Sequence, residues 1–295
     1  KYHFDKQDTA VKMYGTDSDD HPGVRMVQAM QPVLLAGQID LIKGRESETR
    51  AYELTPKQLR RLFEDRGWAR VLGFHTRNVP HKGHEFMQIR AMADETCDGL
   101  LVQPVIGKKK PGDFKPEYII SSYEKMIEDF YPKERVVFSV FSTFSRYAGP
   151  REAIFTALCR KNFGCSHFVV GRDHTGVGDY YDPYASHAIF DQFPDLGIKI
   201  VKLQEIFYSK ELGTYVHENG ASPDNGASPD NGDILDEGDK LQLISGTRAR
   251  AMFLNGERPP TWFMRPEISD IVLDAVERGE QVFEMSSTEA IQGES

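Results

Sequence analysis

From Leu54 onward, short apolar runs alternate with longer stretches whose apolar positions recur at helical spacing. The runs at 70–74, 99–105, 135–141, 167–171 and 198–201 predict strands. The stretches between them, 83–94, 119–130, 150–162 and 183–193, predict helices. Thr55-Pro56 opens a further helix reaching to about Phe63, because threonine caps and proline is pre-shaped for a first helical position. Strands alternating with helices of this length imply right-handed βαβ crossovers, and therefore an α/β fold built on a parallel sheet.

The flanks read differently. The first fifty residues carry β-like runs at 31–36 and 38–42 and a turn signal, His21-Pro22-Gly23, which together suggest the edge of a small β-rich module. After the last strand comes a polar stretch in which the hexapeptide GASPDN occurs twice in tandem, at 220–225 and 226–231. Two copies are too few for a solenoid, and the turn-rich composition predicts a flexible surface loop over 218–238. Beyond it Ser245 caps a helix ending near Gly256, and 266–278 forms a second amphipathic helix, giving a small α-rich unit.

Composition narrows the function classes. The 295 residues are 39% hydrophobic and 27% charged, enough for one large or two to three modest units with real cores. Acidic residues outnumber basic ones by 45 to 36, and the resulting net charge of -9 repels nucleic acid and anionic membranes, so neither is expected as a partner. An anionic substrate then needs a local cationic pocket. Cys97, Cys159 and Cys165 form no CxxC pair and are odd in number, which argues against a disulfide framework and for the reducing cytoplasm. No apolar run is long enough to span a bilayer, and no charged-then-apolar leader opens the chain. A chain that opens on Lys1 rather than Met is expected to be a fragment or a processed form.

In an open parallel sheet, ligands bind beyond the carboxyl ends of the strands, so the loops after Phe74, Val105, Phe141 and Gly171 are where chemistry is expected. The first reads His75-Thr76-Arg77-Asn78-Val79-Pro80-His81-Lys82-Gly83-His84. The four letters HxGH are a weak signal alone. Placed between a strand and a helix start they suit nucleotidyl transfer: Gly83 lets a triphosphate approach the backbone, the helix N-terminus attracts phosphate, and His81 and His84 donate hydrogen bonds as charge builds on the leaving pyrophosphate. Arg77 offers a planar fork for an oxyanion. The second loop, 107–113 with Lys108, Lys109 and Lys110, is either a solvated charge run or a mobile cationic flap over phosphates. The third, Ser145 to Glu152, enters a helix at Pro150; Glu152 near that N-terminus is favourable with the dipole, so Arg151 and Glu152 are either purely structural or part of the site. The fourth, from Gly171 to Gly178, is rich in glycine and contains Arg172, Asp173, His174 and Thr175; it reads as a site wall, with Asp173 a candidate partner that orients Arg172 or a histidine.

Taken together, TRNxxHxGHE at 76–85, KPGD at 110–113, RYAGPREA at 146–153, GRDHxGxG at 171–178, and SGTxxR with PPxWFMRPE within 245–267 resemble ATP sulfurylase (sulfate adenylyltransferase) in order and spacing, from about His21 to Phe283. The resemblance implies a Rossmann-like nucleotidyltransferase domain of the HxGH type (55–205), preceded by the end of a β-rich, PUA-like domain (1–54) and followed by a small C-terminal domain (206–295). It also implies Mg2+ with ATP, sulfate as acceptor, adenosine 5'-phosphosulfate and pyrophosphate as products, in-line attack on the α-phosphorus, and homo-oligomers. By the same resemblance Arg77 contacts the acceptor oxyanion, Asn78, His81, His84 and Arg172 the phosphates, and Ile206 and Phe207 border the adenine. Thr76, Gly83, Gly171 and His174 complete the nucleotide side, and His75 and Thr175 line the acceptor.

Several positions depart from the family's usual residues: His75 stands where glutamine is common, Thr175 where alanine is, Ser145 where methionine is and Gln103 where histidine is. A charged His75 beside Arg77 would hold sulfate, or equally favour a different or more highly charged oxyanion. The alternatives to a sulfurylase are therefore a nucleotidyltransferase of the same build acting on a phosphonate, phosphate ester or carboxylate, and a catalytically silent binding module. The 218–238 stretch lacks the cysteine cluster some members carry there, so no zinc site is expected.

Overall fold

The chain was analysed as a computed structural model that describes residues 2–44, 46–217 and 241–285. It opens with β1 (Tyr2–His3), α1 (Lys6–Tyr14), α2 (Pro22–Ala29) and β2 (Val33–Leu34), and β1 pairs with β2 antiparallel. Of the two β-like runs, only Val33–Leu34 is strand, and 38–42 joins no ladder. The His21-Pro22-Gly23 signal proves to be a helix start. The His21 Nδ1 accepts the Gly23 backbone N–H at 3.0 Å, and Pro22 occupies the first turn, where it forfeits no hydrogen bond. Leu35, Ile39, Leu41 and Ile42, with no partner strand among the described residues, stay 84 to 98% exposed.

Next comes α3 (Pro56–Asp65), closed by a reciprocal cap in which the Thr55 hydroxyl accepts the Gln58 N–H and the Gln58 side chain accepts the Thr55 N–H. The alternating region follows as β3 (Val71–Phe74), α4 (Lys82–Asp94), β4 (Gly99–Val102), α5 (Pro116–Phe130), β5 (Val136–Phe138), α6 (Pro150–Phe163), β6 (His167–Val170), α7 (Ala185–Ala188) and β7 (Lys199–Lys202). The predicted strands 99–105 and 135–141 are shorter than expected, their far ends meeting only in an isolated bridge between Val105 and Phe141. The predicted helix 183–193 breaks into α7 and a 3-10 turn at Ile189–Gln192. Its intended first carbonyl, on Pro183, accepts the Asp173 N–H at 2.7 Å and so serves the preceding loop.

The five parallel strands lie in the order β5-β4-β3-β6-β7. Connections run outward in both directions from β3, so the order reverses between β3 and β6, and the loops that follow those two strands border the crevice where such sheets bind ligands. Alternate residues of the strands feed two cores. Leu72, Phe74, Leu100, Val102, Val136 and Val169 face Met92 of α4 and Tyr123 and Met126 of α5, whereas Val71, Leu101, Val137, Phe168 and Val170 face Leu59 and Phe63 of α3 and Ala153 and Ala157 of α6.

After the sheet, β8 (Ile206–Ser209) pairs antiparallel with both β9 (Thr214–His217) and β10 (Leu241–Gln242), and α8 (Gly246–Leu254) and α9 (Pro266–Glu277) follow. The tail thus adds a three-stranded sheet to the expected helices. Phe253, Ile268 and Val272 of α8 and α9 belong to the first of the two cores, with α9 packed on α5, so these helices extend the core on that side of the parallel sheet. The tandem hexapeptide and the predicted loop 218–238 lie outside the described residues.

Candidate active site

The loop after β3 ends in α4, and His81 is that helix's N-cap: its Nδ1 accepts the His84 backbone N–H at 3.3 Å. An Nδ1 engaged as acceptor leaves the proton on Nε2, so the ring presents one N–H outward. His81 lies between two rings, stacked on His84 (centroids 3.7 Å apart) and on Phe263 (4.8 Å), while His84 meets the edge of Phe74 (5.4 Å). A Cβ on Gly83 would come within 3.0 Å of the His81 Nδ1 and 3.4 Å of the Ile206 side chain. Glycine thus leaves the folded-back imidazole the few tenths of an ångström that a side chain would take from it. Burial lowers the pKa of His84 to about 4, and burial plus the neighbouring His84 holds His81 well below the usual histidine value. Both are neutral hydrogen-bond donors in the free protein. Elsewhere in the loop, Thr76 Oγ1 accepts the Asn78 N–H (3.1 Å), and Asn78 Oδ1 accepts from Arg250 Nη1 (3.3 Å), a residue of α8.

His75 corrects an expectation. Its pKa is held well below the ordinary value by burial and then by the charges of Arg160, His174 and Arg77, so the ring is neutral rather than a cation beside Arg77. His174 is likewise neutral, pushed to about 3 chiefly by burial, with its ring centroid 5.4 Å from that of His75.

The loop after β6 is strained and tied to the loop that enters α6. Asp173 and Thr175 adopt φ of 50° and 60°, and Tyr147 in the neighbouring loop has φ 58°; a β-branched residue there is under real strain. The Thr175 hydroxyl donates to the Gly149 carbonyl at 2.9 Å, and the Gly149 N–H donates to the Thr175 carbonyl at 3.2 Å. Glu152 accepts the backbone N–H groups of Arg146 (2.9 Å) and Ala148 (3.2 Å), a loop-shaping role in keeping with its place at the start of α6. Behind this loop His21 closes on the Tyr147 carbonyl through Nε2 at 3.1 Å, so the amino-terminal helices buttress the site. Arg172 pairs with Glu205 at 3.5 Å. A Cβ on Gly171 would meet open space, so neither crowding nor positive φ demands glycine there.

The lysine loop is not a solvated run. Lys109 is buried, its ammonium donates to the Phe114 carbonyl, and burial lowers its pKa to about 8. Lys110 donates its backbone N–H to the Tyr147 hydroxyl at 2.7 Å, and its ammonium lies 5.9 Å from that ring. Arg77 lies over the same ring at 5.5 Å, and its Nε is 3.7 Å from the buried Asp113 carboxylate. Lys110 and Arg250 both lie in the field of Arg77 and Asp113, and Asp173 in that of Arg77, Arg172 and Lys110. Three loops and α8 thus bring Arg77, Lys110, Arg172 and Arg250 to one end of the sheet. Residue-level reasoning passed over Arg250 and Asp113, although the SGTxxR and KPGD segments contain them, and over Arg160, which no motif flagged.

Ile206, not Phe207, is the residue beside the HxGH turn. Adjacent strand residues face opposite ways, and Phe207 is buried on the other side of β8. On the outer face of α4, a separate cleft of about 480 Å³ is lined by Phe86, Ile89, Tyr208 and Tyr215, with Arg265 locked to Glu85 by two bonds of 2.7 and 2.9 Å.

A sequence model of the ATP-sulfurylase family matches residues 50–275, and one of the PUA-like domain matches residues 1–44. The chain is 46% identical over 270 residues to the sulfate adenylyltransferase of Ignicoccus hospitalis, covering 92% of this chain and 67% of that one. It is 44% identical over 272 residues to that of Hyperthermus butylicus, covering 92% and 66%. The chain thus spans about two thirds of the length of these relatives. Among solved structures it resembles in fold the hexameric APS kinase from Thiobacillus denitrificans, with a TM-score of 0.59 at 20% identity over 80% of this chain and 41% of that one. With most of its length matched by the family model and its motif loops gathered at one switch point, the chain belongs to the ATP-sulfurylase family.

Proposed function

We propose that the chain is a sulfate adenylyltransferase, making adenosine 5'-phosphosulfate and pyrophosphate from sulfate and ATP, with Mg2+ entering as part of the nucleotide substrate. The observation that carries this reading is the stacked pair His81 and His84 at the N-terminus of α4, beside the sheet's switch point, with Arg77, Lys110, Arg172 and Arg250 at the same end. A sulfate oxygen forms a bond to the α-phosphorus while the bond from that phosphorus to the bridging oxygen breaks, and the electron pair leaves with pyrophosphate. No proton has to move. Positioning and charge stabilisation therefore supply the catalysis.

In this reading Arg77, His75 and Thr175 line the acceptor, Asn78, His81, His84 and Arg172 contact the phosphates, and Thr76, Gly83, Gly171 and His174 shape the nucleotide side. Ile206 borders the adenine, with Phe207 supporting it from behind. A neutral imidazole suits the phosphate role: it donates from Nε2 without binding the ground state as tightly as a cation, and its bond strengthens as charge develops. The domain division 1–54, 55–205 and 206–295 belongs to the same reading, as does a cytoplasmic location, in keeping with three unpaired thiols. Homo-oligomers are supported by the exposed row Leu35, Ile39, Leu41 and Ile42; light scattering should return a mass above 33.5 kDa, and a single-chain mass would reject them.

Pyrophosphate release with ATP, Mg2+ and a panel of anions tests the function. Release that depends on sulfate is expected. Release only with a phosphonate, phosphate ester or carboxylate would move the chain to a different acceptor, and none with any anion would leave a silent binding module.

A further inference from the structure

Arg160, on α6, is completely buried, yet no motif points to it. Its Nη2 donates to the Gln103 carbonyl at 2.7 Å and meets the His75 Nδ1 at 2.9 Å. Its Nε and Nη1 have no hydrogen-bond partner, and no carboxylate pairs with it among the described residues, the acidic groups that act on its charge being the thiols of Cys165 and Cys159. The rings of Phe141 and Phe168, 4.9 and 5.9 Å from the guanidinium, make its surroundings apolar. A buried cation with two idle donors and no counter-ion is costly in a folded protein by several kcal/mol. The Gln103 amide, also fully buried, has neither its nitrogen nor its oxygen partnered, and the His174 Nε2 is idle as well. Unfilled hydrogen-bonding capacity thus collects around one side chain, His75.

We propose that Arg160 is a positioning residue for the acceptor anion: its guanidinium holds His75 as the tautomer that carries its proton on Nε2 and presents that N–H to the oxyanion. The argument is one of donor and acceptor roles. A guanidinium can only donate, so the His75 nitrogen facing it must offer a lone pair, and the proton is confined to the other nitrogen. The charged and titratable groups facing His75 are Arg160 from α6, His174 from the loop after β6 and Arg77 from its own loop, and all three oppose protonation of the ring. His75 therefore remains a neutral donor of fixed polarity throughout the neutral range, and the buried charge behind it gains its counter-ion when the acceptor anion arrives. The proposal rests on the reading that His75 lines the acceptor side.

The test reads the ring directly. In full-length protein carrying 15N-labelled histidine, with the His75 signals assigned from His75→Gln, Nδ1 should be unprotonated and Nε2 protonated at about pH 7, with no titration down to about pH 5.5. In Arg160→Met the ring should become a mixture of tautomers, while burial, the larger cause of its low pKa, still keeps it uncharged in that range. The KM for sulfate should rise about ten-fold, the loss expected when one hydrogen bond to a charged group is misaligned, with little change in the KM for ATP. Arg160→Lys should recover part of the sulfate affinity, and it serves as the working variant if the methionine protein does not fold. Finding His75 protonated on Nδ1, or charged, at about pH 7 in the unsubstituted protein overturns the proposal. So does a folded Arg160→Met with unchanged ring signals. Altered ring signals with an unchanged sulfate KM would overturn it differently, by removing His75 from the acceptor side while the coupling to Arg160 stands.

Discussion

His81 serves two purposes with one ring: it caps α4 through Nδ1 and so leaves Nε2–H as the only donor it can offer a phosphate. The two purposes separate by substitution. His81→Asn keeps a good N-cap and loses the reach of the distal N–H, so turnover should fall by about 10²–10³-fold while the melting temperature shifts by only a few degrees. Unchanged turnover in a folded His81→Asn protein would remove the residue from the mechanism. The same imidazoles set an acid limit on stability. His75, His81, His84 and His174 all have folded pKa values depressed below 6.5, those of His84 and His174 to about 4 and about 3. Between pH 6.5 and about 4 the unfolded chain binds protons that the folded chain refuses, so their contribution is complete above the unfolded value and is lost as pH falls. For His84 alone the gap is worth up to about 3 kcal/mol. Calorimetry at about pH 7 and about pH 5 should show the midpoint dropping by roughly 5–10 °C, with a smaller drop in His84→Gln; a flat midpoint contradicts the depressed values. Bound ATP should reverse the trend, because phosphate charge raises these pKa values.

At the scale of elements, α4 joins two surfaces. Its first turn carries the histidine pair, and its outer face carries Glu85, clamped bidentately by Arg265, which also lies 3.8 Å from the Phe130 ring. Gly83 is the pivot between them. In Gly83→Ala the helix gains intrinsic propensity of about 1 kcal/mol, but the new Cβ meets the His81 ring at 3.0 Å and pushes it by a few tenths of an ångström from the position set by its cap. The expected result is a protein that melts near the unsubstituted temperature and turns over at least about ten-fold more slowly; equal turnover would show that the ring is not held where α4 places it. The parallel strands and α4, α5 and α6 were legible in the sequence because short apolar strand runs alternate there with longer segments, and Pro150 marks the start of α6. The helix predicted at 183–193 was not, because Asp173, ten residues upstream, takes the Pro183 carbonyl, and a local pattern contains no trace of that competition. Residues 31–42 misled for a related reason: an alternating apolar run makes a strand only where a partner strand is available.

For the whole molecule the main lesson concerns the tail. Read as a separate small unit, 241–285 would melt independently. Phe253, fully buried on α8, instead shares a core with Leu72 and Leu100 of the parallel sheet and Tyr123 of α5. Phe253→Ala should therefore cost about 3–5 kcal/mol and lower one joint transition for sheet and tail, followed by circular dichroism and by tryptophan fluorescence from Trp68 and Trp262. A low-temperature transition confined to Trp262 would show the tail to be an independent unit.

The sequence by itself determined the parallel α/β class, the end of the sheet at which chemistry gathers, and the histidines, arginines and glycines of the motif loops, because hydrophobic period and helix-start chemistry are local properties. It also carried the family, through the order and spacing of its motifs. Only the tertiary structure decided the protonation state of those histidines, since desolvation depends on what covers a ring. The same holds for the pairing of Arg250 with Asn78 and the burial of Arg160 behind His75, each a contact between residues far apart in the chain.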